Sequence, residues 1–268
     1  MIIIDTHTHF YDPSRPQGVP WPGPKETALY RTVLPEHFRA LAVPEGVTGT
    51  VVVEASPWVE DNQWILDLAA KDKIIVGHVG NLTPGSEDFG KNLARFAANP
   101  LYRGIRTRSL NVNDLSQAPA IADVAKLVDY DLELDLMVRH DELPQVRSLS
   151  KRIPDLRIVM PHIAHQRITG QAVDPAWLEG LKQLEDCPNV YMKVSALVEN
   201  TGQRPAPTDL EFYLLTLDAL WNTLGEDRLI FGSNWPVCGP FAEYSTVKRL
   251  VTEYWSTKSV EAQEKFFW

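Results

Sequence analysis

The sequence predicts an α/β chain folded as a single-domain (β/α)8 TIM barrel, and three observations carry that expectation. Eight short apolar, β-branched runs recur along the 268 residues. Segments with helical period separate most of them. The length suits one barrel, whose usual size is about 250 residues. Parallel strands buried on both faces read as continuous hydrophobic runs, and these eight do.

In chain order, "MIIID" at the start is the first strand and leads into "THTHF", so His7 and His9 stand at its end. Alternate residues of a strand share a face, so these two imidazoles project together. The stretch from Phe10 to Val33, "FYDPSRPQGVPWPGPKETALYRTV", is dense in proline and lacks periodicity. A loop of that length (about 10–33), carrying Tyr11, Trp21 and Tyr30, is expected to be an active-site lid or pocket wall.

"GTVVVEA" from Gly49 ends near Glu54 and precedes the helical pattern "EDNQWILDLAAKD"; "KIIVGHVG" from Lys73 carries His78 and precedes "FGKNLARFAANP". "YRGIR" from Tyr102 ends in Arg106, with Arg108 two residues on, before "PAIADVAKLVDY". "LELDLMV" from Leu132 delivers Arg139 and His140 ahead of "DELPQVRSLSKRIP", and "LRIVM" from Leu156 delivers His162 and His165 ahead of "PAWLEGLKQLEDCP". "NVYMKVS" from Asn189 holds Lys193 and Ser195 before "DLEFYLLTLDALWNTLG"; "DRLIF" from Asp227 leads to Asn234. Every predicted strand ends in a polar group. The C-terminal strand ends of a barrel converge on one face, so these groups are expected to share one site. Of the seven histidines only His37 falls elsewhere, in a helical segment.

Composition narrows the partners. The chain is 44% hydrophobic and 23% charged, ordinary for a globular protein, and its formal charge of -9 gives no support to nucleic-acid binding. A small molecule is the expected partner, and a homo-oligomer is compatible with this class. Two cysteines, Cys187 and Cys238, make no disulfide framework. No basic region precedes the first apolar run and no run reaches membrane-spanning length, so the expected compartment is the cytoplasm, with no signal peptide or anchor.

Within the expected site, His7, His9 and His162 form a three-nitrogen set suited to a metal ion or a polarised carbonyl. A lone strand-end histidine is more often structural, which weighs on His78 and His165. Arg106 and Arg108 present two guanidiniums that match a carboxylate, pointing to an anionic substrate; the alternative is a salt bridge to Glu54. Most tryptophans lie at helical spacing among apolar neighbours and belong to the core. Trp235, beside Asn234, is expected to wall the site.

Taken together, "IDTHTHFYDP", "GTVVVEASPWVEDNQWILDLA", "YRGIRTRSL", "VYMKVSALV" and "DRLIFGSNWPVC" resemble the amidohydrolase-related family, in the branch with sugar-acid lactonases and pyrone-dicarboxylate lactonase. The resemblance implies an amidohydrolase-like barrel hydrolase that opens a small carboxylated or sugar-acid lactone, with an anionic or polyhydroxylated substrate. It implies that His7, His9 and His162 bind one divalent ion, zinc or manganese, or in a metal-independent version polarise the substrate carbonyl. Lys193 resembles a recurrent family feature, placed to hold a substrate carbonyl or a barrel-mouth acid.

An aspartate after strand eight commonly directs the water in this family, and here the motif reads "FGSNWPV" with Asn234. An amide takes no proton from water near neutral pH. The water then needs another base, and Glu54, His78 and His140 are candidates, with Asp5 less suited. His140 stands where other amidohydrolases place a metal ligand, which would give the set His7, His9, His140 and His162. Two alternatives follow from the resemblance: a metal-dependent non-oxidative decarboxylase, and a non-catalytic ligand-binding relative that has lost its carboxylate at Asn234.

Overall fold

Eight parallel strands lie side by side in sequence order in a computed structural model that describes residues 1–107 and 110–268. They are β1 (Ile4–Thr8), β2 (Gly49–Val53), β3 (Ile75–Gly80), β4 (Tyr102–Arg106), β5 (Glu133–Asp135), β6 (Ile158–Met160), β7 (Val190–Val194) and β8 (Leu229–Phe231). Around them lie α1 (Pro35–Ala42), α2 (Val59–Lys71), α3 (Phe89–Ala97), α4 (Val112–Leu115), α5 (Ala120–Asp129), α6 (Leu143–Arg152), α7 (Pro175–Lys182), α8 (Glu211–Leu224), α9 (Tyr244–Trp255) and α10 (Val260–Phe267). This is the (β/α)8 barrel that the alternation predicts. No helix is long and apolar enough to cross a membrane among the described residues.

The barrel is drawn shut beyond the last residue of β8. Thr8 bridges Trp235 in parallel, the Asn234 N–H donates to the His7 carbonyl at 2.9 Å, and the His9 N–H donates to the Trp235 carbonyl at 2.9 Å. The seam therefore runs through the residues of the expected site. Below it, the buried Asp5 carboxylate accepts from the N–H groups of Ser233 (2.8 Å) and His7 (3.2 Å) and from the Tyr244 hydroxyl (3.0 Å). One side chain so ties β1, the turn after β8 and α9 together. Burial raises its pKa to about 6 in spite of these donors.

Three features differ from the sequence expectation. β1 begins at Ile4 and includes His7, and its pairing with β2 shifts register between Asp5 and Thr8. Such an irregularity re-aims side chains that strict alternation would place. β5 has three residues, so Leu136–Val138 continue as irregular chain and His140 lies in a short 3-10 turn, His140–Glu142, beyond the strand. Finally, α9 and α10 follow β8 and cover it: Phe266 and Phe267 pack on Phe231, and Phe266 stacks on Trp255 with centroids 3.4 Å apart.

Replacing Asp5 by alanine is expected to destabilise the protein by about 3 kcal/mol, because Ser233 N–H and Tyr244 OH lose their acceptor in a dry site. Urea unfolding at neutral pH checks this; a loss below about 1 kcal/mol would show that the seam holds without the carboxylate.

Candidate functional site

The site is built on the end of β1. His7 is fully buried, and neither of its ring nitrogens has a hydrogen-bond partner. Its ring lies 4.5 Å from that of His162 and 5.1 Å from that of His9, centroid to centroid. The His9 Nδ1 is 3.0 Å from the Val53 carbonyl. A carbonyl only accepts, so the proton is on Nδ1 and the lone pair on Nε2. The His162 Nδ1 lies 3.0 Å from Ser195 Oγ, which also accepts the His162 N–H at 2.9 Å.

Burial holds both His7 and His162 well below the usual imidazole range; neighbouring His162 and Lys193 add to the effect at His7, and Arg106 and His165 at His162. Both rings are neutral at physiological pH, the state in which imidazole offers a lone pair. The backbone of Gly232 makes room for this packing: a Cβ there would stand 2.8 Å from the Cβ of His7 and 3.3 Å from that of Ser195.

His162 is presented by an unusual turn. His162, Ile163, Ala164 and His165 all have positive φ, between 50° and 61°. Left-handed residues other than glycine cost 1–2 kcal/mol each, so roughly 4–8 kcal/mol is stored over the four. The turn is pinned at several points: Trp177 Nε1 donates to the Ile163 carbonyl (2.9 Å), Asn200 Nδ2 donates to the His162 carbonyl (3.1 Å), and Ser195 holds the His162 amide.

Opposite His7, Asn234 also has a left-handed backbone (φ 63°), and its Nδ2 donates to Glu199 Oε1 at 2.8 Å. Glu199 begins a 3-10 turn, Glu199–Thr201, after β7. Its Oε2 is shut off from solvent with no hydrogen-bond partner, and burial raises the carboxyl to about 8, against a lowering by the Asn234 amide. Sequence reasoning passed over Glu199 because it ended the seventh strand at Ser195. The signal was available in "SALVEN", where the next ionisable residue after the strand is this one.

The other expected site residues fall into distinct places. Trp21 walls the cleft, its ring 5.7 Å from His9 and 5.5 Å from Tyr11. Tyr11 backs Trp21 and donates its hydroxyl to the Leu29 carbonyl (2.9 Å). Arg106 lines the cleft but is committed to Glu54, with Nε to Oε1 at 2.8 Å and Nη2 to the Glu54 carbonyl at 2.6 Å. Of the two readings of Arg106, the geometry is that of the salt bridge. Arg108 lies outside the described residues.

Five expectations need correction. Glu54 is held by Arg106 in the barrel wall, which ill suits it to accept a proton from water. His78 points to the helix layer, with Nδ1 on the Val52 carbonyl (2.9 Å) and Nε2 near Asn62 of α2 (3.3 Å), and does not line the cleft. His140 does not line the cleft but sits in an adjoining surface depression with Arg139, His165 and Arg167, because β5 ends five residues earlier. Trp235 packs outward on Phe10 and Phe38, since the left-handed Asn234 turns the chain away from the cleft. Lys193 is buried in the barrel and pairs with Asp135 at 2.7 Å, facing the N-terminal end with Glu133.

The cleft at the C-terminal strand ends has a volume of about 770 Å3. Its floor holds His9, His162 and Asn234, and its rim carries Thr107, Asn111, Asp114, Glu199 and Asn200. The donor set suits one divalent ion: His7 has two orphaned buried nitrogens, and the Val53 carbonyl fixes the His9 tautomer as an outer partner of a metal-bound imidazole does. Among the described residues no three His, Cys, Asp or Glu side chains already converge on one point.

The Amidohydrolase family model matches residues 4–268. This chain belongs to the amidohydrolase family. Among the relatives of this amidohydrolase is an L-fucono-1,5-lactonase of Burkholderia ambifaria, 32% identical over 247 residues, covering 90% of this chain and 83% of the relative. An L-fucono-1,5-lactonase of Burkholderia multivorans is 28% identical, covering 98% and 91%. A Burkholderia multivorans amidohydrolase of known structure is 25% identical over 100% of this chain and 96% of its own. Its TM-score is 0.88 with HEPES bound and 0.84 in a form with zinc bound.

Gly232→Ala is expected to displace His7 and lower stability by about 1–3 kcal/mol, the range for overpacking a filled interior. Urea unfolding measures the loss and histidine ring NMR reports the displacement; unchanged ring signals would show that the close approach is not what places His7.

Proposed function

We propose that this chain is a lactonase that opens a small polyhydroxylated lactone by attack of water on the ring carbonyl. The observation that carries the reading is the close packing of the buried His7, His9 and His162 rings, of which His9 and His162 line a cleft of about 770 Å3. That space suits a single sugar-sized ring. The names of the Burkholderia relatives support the reaction class.

The rim favours hydroxyls over a carboxylate. Thr107, Asn111 and Asn200 both donate and accept, as sugar hydroxyls do, whereas Arg106 has its charge met by Glu54. Among the described residues lining the cleft, Arg106 is the one lysine or arginine. A decarboxylase, whose substrate is itself a carboxylate, gains nothing from this arrangement. A sugar-acid lactone, neutral until its ring opens, fits it.

The lactone lies between the Trp21 wall and the rim, its carbonyl over the imidazoles. The His9 tautomer points a lone pair, not a proton, toward its Nε2 side, so His9 is built to be a ligand rather than a hydrogen-bond donor to the carbonyl. His7, His9 and His162 would hold one divalent ion, which would supply Lewis-acid polarisation of the carbonyl. The protein's own groups orient the ring, exclude bulk water and handle the proton. Water adds to the carbonyl carbon, the ring C–O bond breaks, and the ring oxygen leaves as a hydroxyl.

Two measurements test this reading. Proton release from a panel of five- and six-membered aldonolactones, with plain aliphatic lactones and aromatic carboxylic acids as controls, is expected to show turnover of the hydroxylated lactones and no carbon dioxide. Evolution of carbon dioxide from an aromatic acid, with no lactone opened, would replace the hydrolase by a lyase. Elemental analysis of protein purified without chelator is expected to give close to one zinc or manganese per chain, reduced at least tenfold by His7→Ala. Metal-free protein with full activity in chelator would end the ligand assignment.

A further inference from the structure

We propose that Glu199, positioned by Asn234, is the general base that takes the proton of the attacking water, in place of the carboxylate that Asn234 lacks. The inference rests on the ring-opening reading above. Three observations place the role here. Glu199 Oε1 is held by the Asn234 amide at 2.8 Å, so the side chain has one orientation. Its Oε2 is desolvated and has no partner, yet the residue lines the same cleft as His162 and Asn234. Among the described residues no lysine or arginine pairs with it, in contrast to Glu54 and Asp135, whose charges are met by Arg106 and Lys193.

The loop that carries Glu199 is braced on both sides. The Asn200 N–H donates to the Ala196 carbonyl (3.0 Å), its Nδ2 donates to the His162 carbonyl, and its own carbonyl accepts from the Ile168 N–H (3.0 Å). Glu199 is thus fixed relative to the His162 turn on one side and to Asn234 on the other. An amide and a carboxyl in contact hold one ionisable group where an aspartate and a glutamate would hold two like charges. The turn after β7 thus brings a carboxyl group into contact with the side chain of Asn234, on the same cleft.

The step balances as follows. Ionised Glu199 accepts a proton from water at Oε2 as the water oxygen bonds to the carbonyl carbon. The tetrahedral adduct then collapses with cleavage of the ring C–O bond, and the proton passes from Oε2 to the departing ring oxygen, leaving a hydroxy acid and Glu199 ionised again. Burial lifts the carboxyl to about 8, so the basic form gains population as pH rises through that value. The titratable groups around it are Tyr213 from α8 and Cys238 from the turn after β8, both raised by burial and so neutral, with neutral His162 and His165 lining the same cleft.

The test is the pH profile of aldonolactone opening by the metal-loaded protein, in wild type, Glu199→Gln and Asn234→Asp. The wild type is expected to gain activity through a limb near pH 8. Glu199→Gln is expected to lower kcat by about 100-fold or more, with KM within threefold and the limb gone. Asn234→Asp is expected to move the limb by at least one pH unit, because two touching carboxyl groups titrate as a pair. This variant keeps the test decisive should Glu199→Gln fail to fold.

Retention of activity within threefold and of the limb in Glu199→Gln overturns the assignment, as does an unmoved limb in Asn234→Asp. A raised KM with unchanged kcat in Glu199→Gln also overturns it, showing a group that holds substrate only. Wild-type protein that opens no lactone removes the reaction and the base with it. An active wild type with an equally active Glu199→Gln removes the base alone.

Discussion

The backbone seam between β1 and the turn after β8 is the constraint on which the rest depends. Two hydrogen bonds make it, from Asn234 to the His7 carbonyl and from His9 to the Trp235 carbonyl. Three of these four residues bear on the chemistry or its walls, so closing the barrel and assembling the site are one event. Asp5 secures the seam from beneath, at the cost of burying a carboxyl group whose pKa burial raises to about 6. A barrel that opened here would lose the floor of the cleft before it lost its core.

Around that seam the interior sorts its charges. Arg106 with Glu54 and Lys193 with Asp135 are buried pairs whose charges meet, although Asp135 Oδ1 has no hydrogen-bond partner. Such pairs add little net stability over apolar substitutes, yet each becomes costly if one partner is removed. Their cationic partners, Arg106 and Lys193, add to burial in holding His7 and His162 below the usual imidazole range. Glu199, like Asp135, leaves one buried oxygen without a partner, but its other oxygen meets an amide rather than a cation.

Much of the fold was legible because parallel strands in a barrel are buried on both sides and must be apolar throughout. His7, His9 and His162 were legible for the related reason that a polar side chain ending such a run has no apolar role to fill. What escaped depended on direction rather than on residue type. Leu136–Val138 continue the apolar run of β5 without joining the sheet, which carried His140 out of the site. The positive φ of Asn234 turned Trp235 outward, and no propensity reveals that in a motif where asparagine is also a plausible polar group. The helices α9 and α10 have ordinary amphipathic periods, but nothing in an eight-strand count requires them. Glu199 was hidden because its importance comes from Asn234, a neighbour across the cleft and 35 residues away in sequence.

The turn that carries His162 winds as the mirror image of an ordinary helical turn, and it is made of isoleucine, alanine and two histidines rather than glycine. Glycine would sit there without strain, but it would also let the chain relax into many other shapes. Residues with a Cβ, forced into the left-handed region and clamped by Trp177, Ser195 and Asn200, have few alternatives close in energy. The segment therefore behaves as a loaded spring rather than a hinge. It exchanges folding stability for stiffness at the imidazoles that follow β6, and release of any clamp would be felt first as motion of His162.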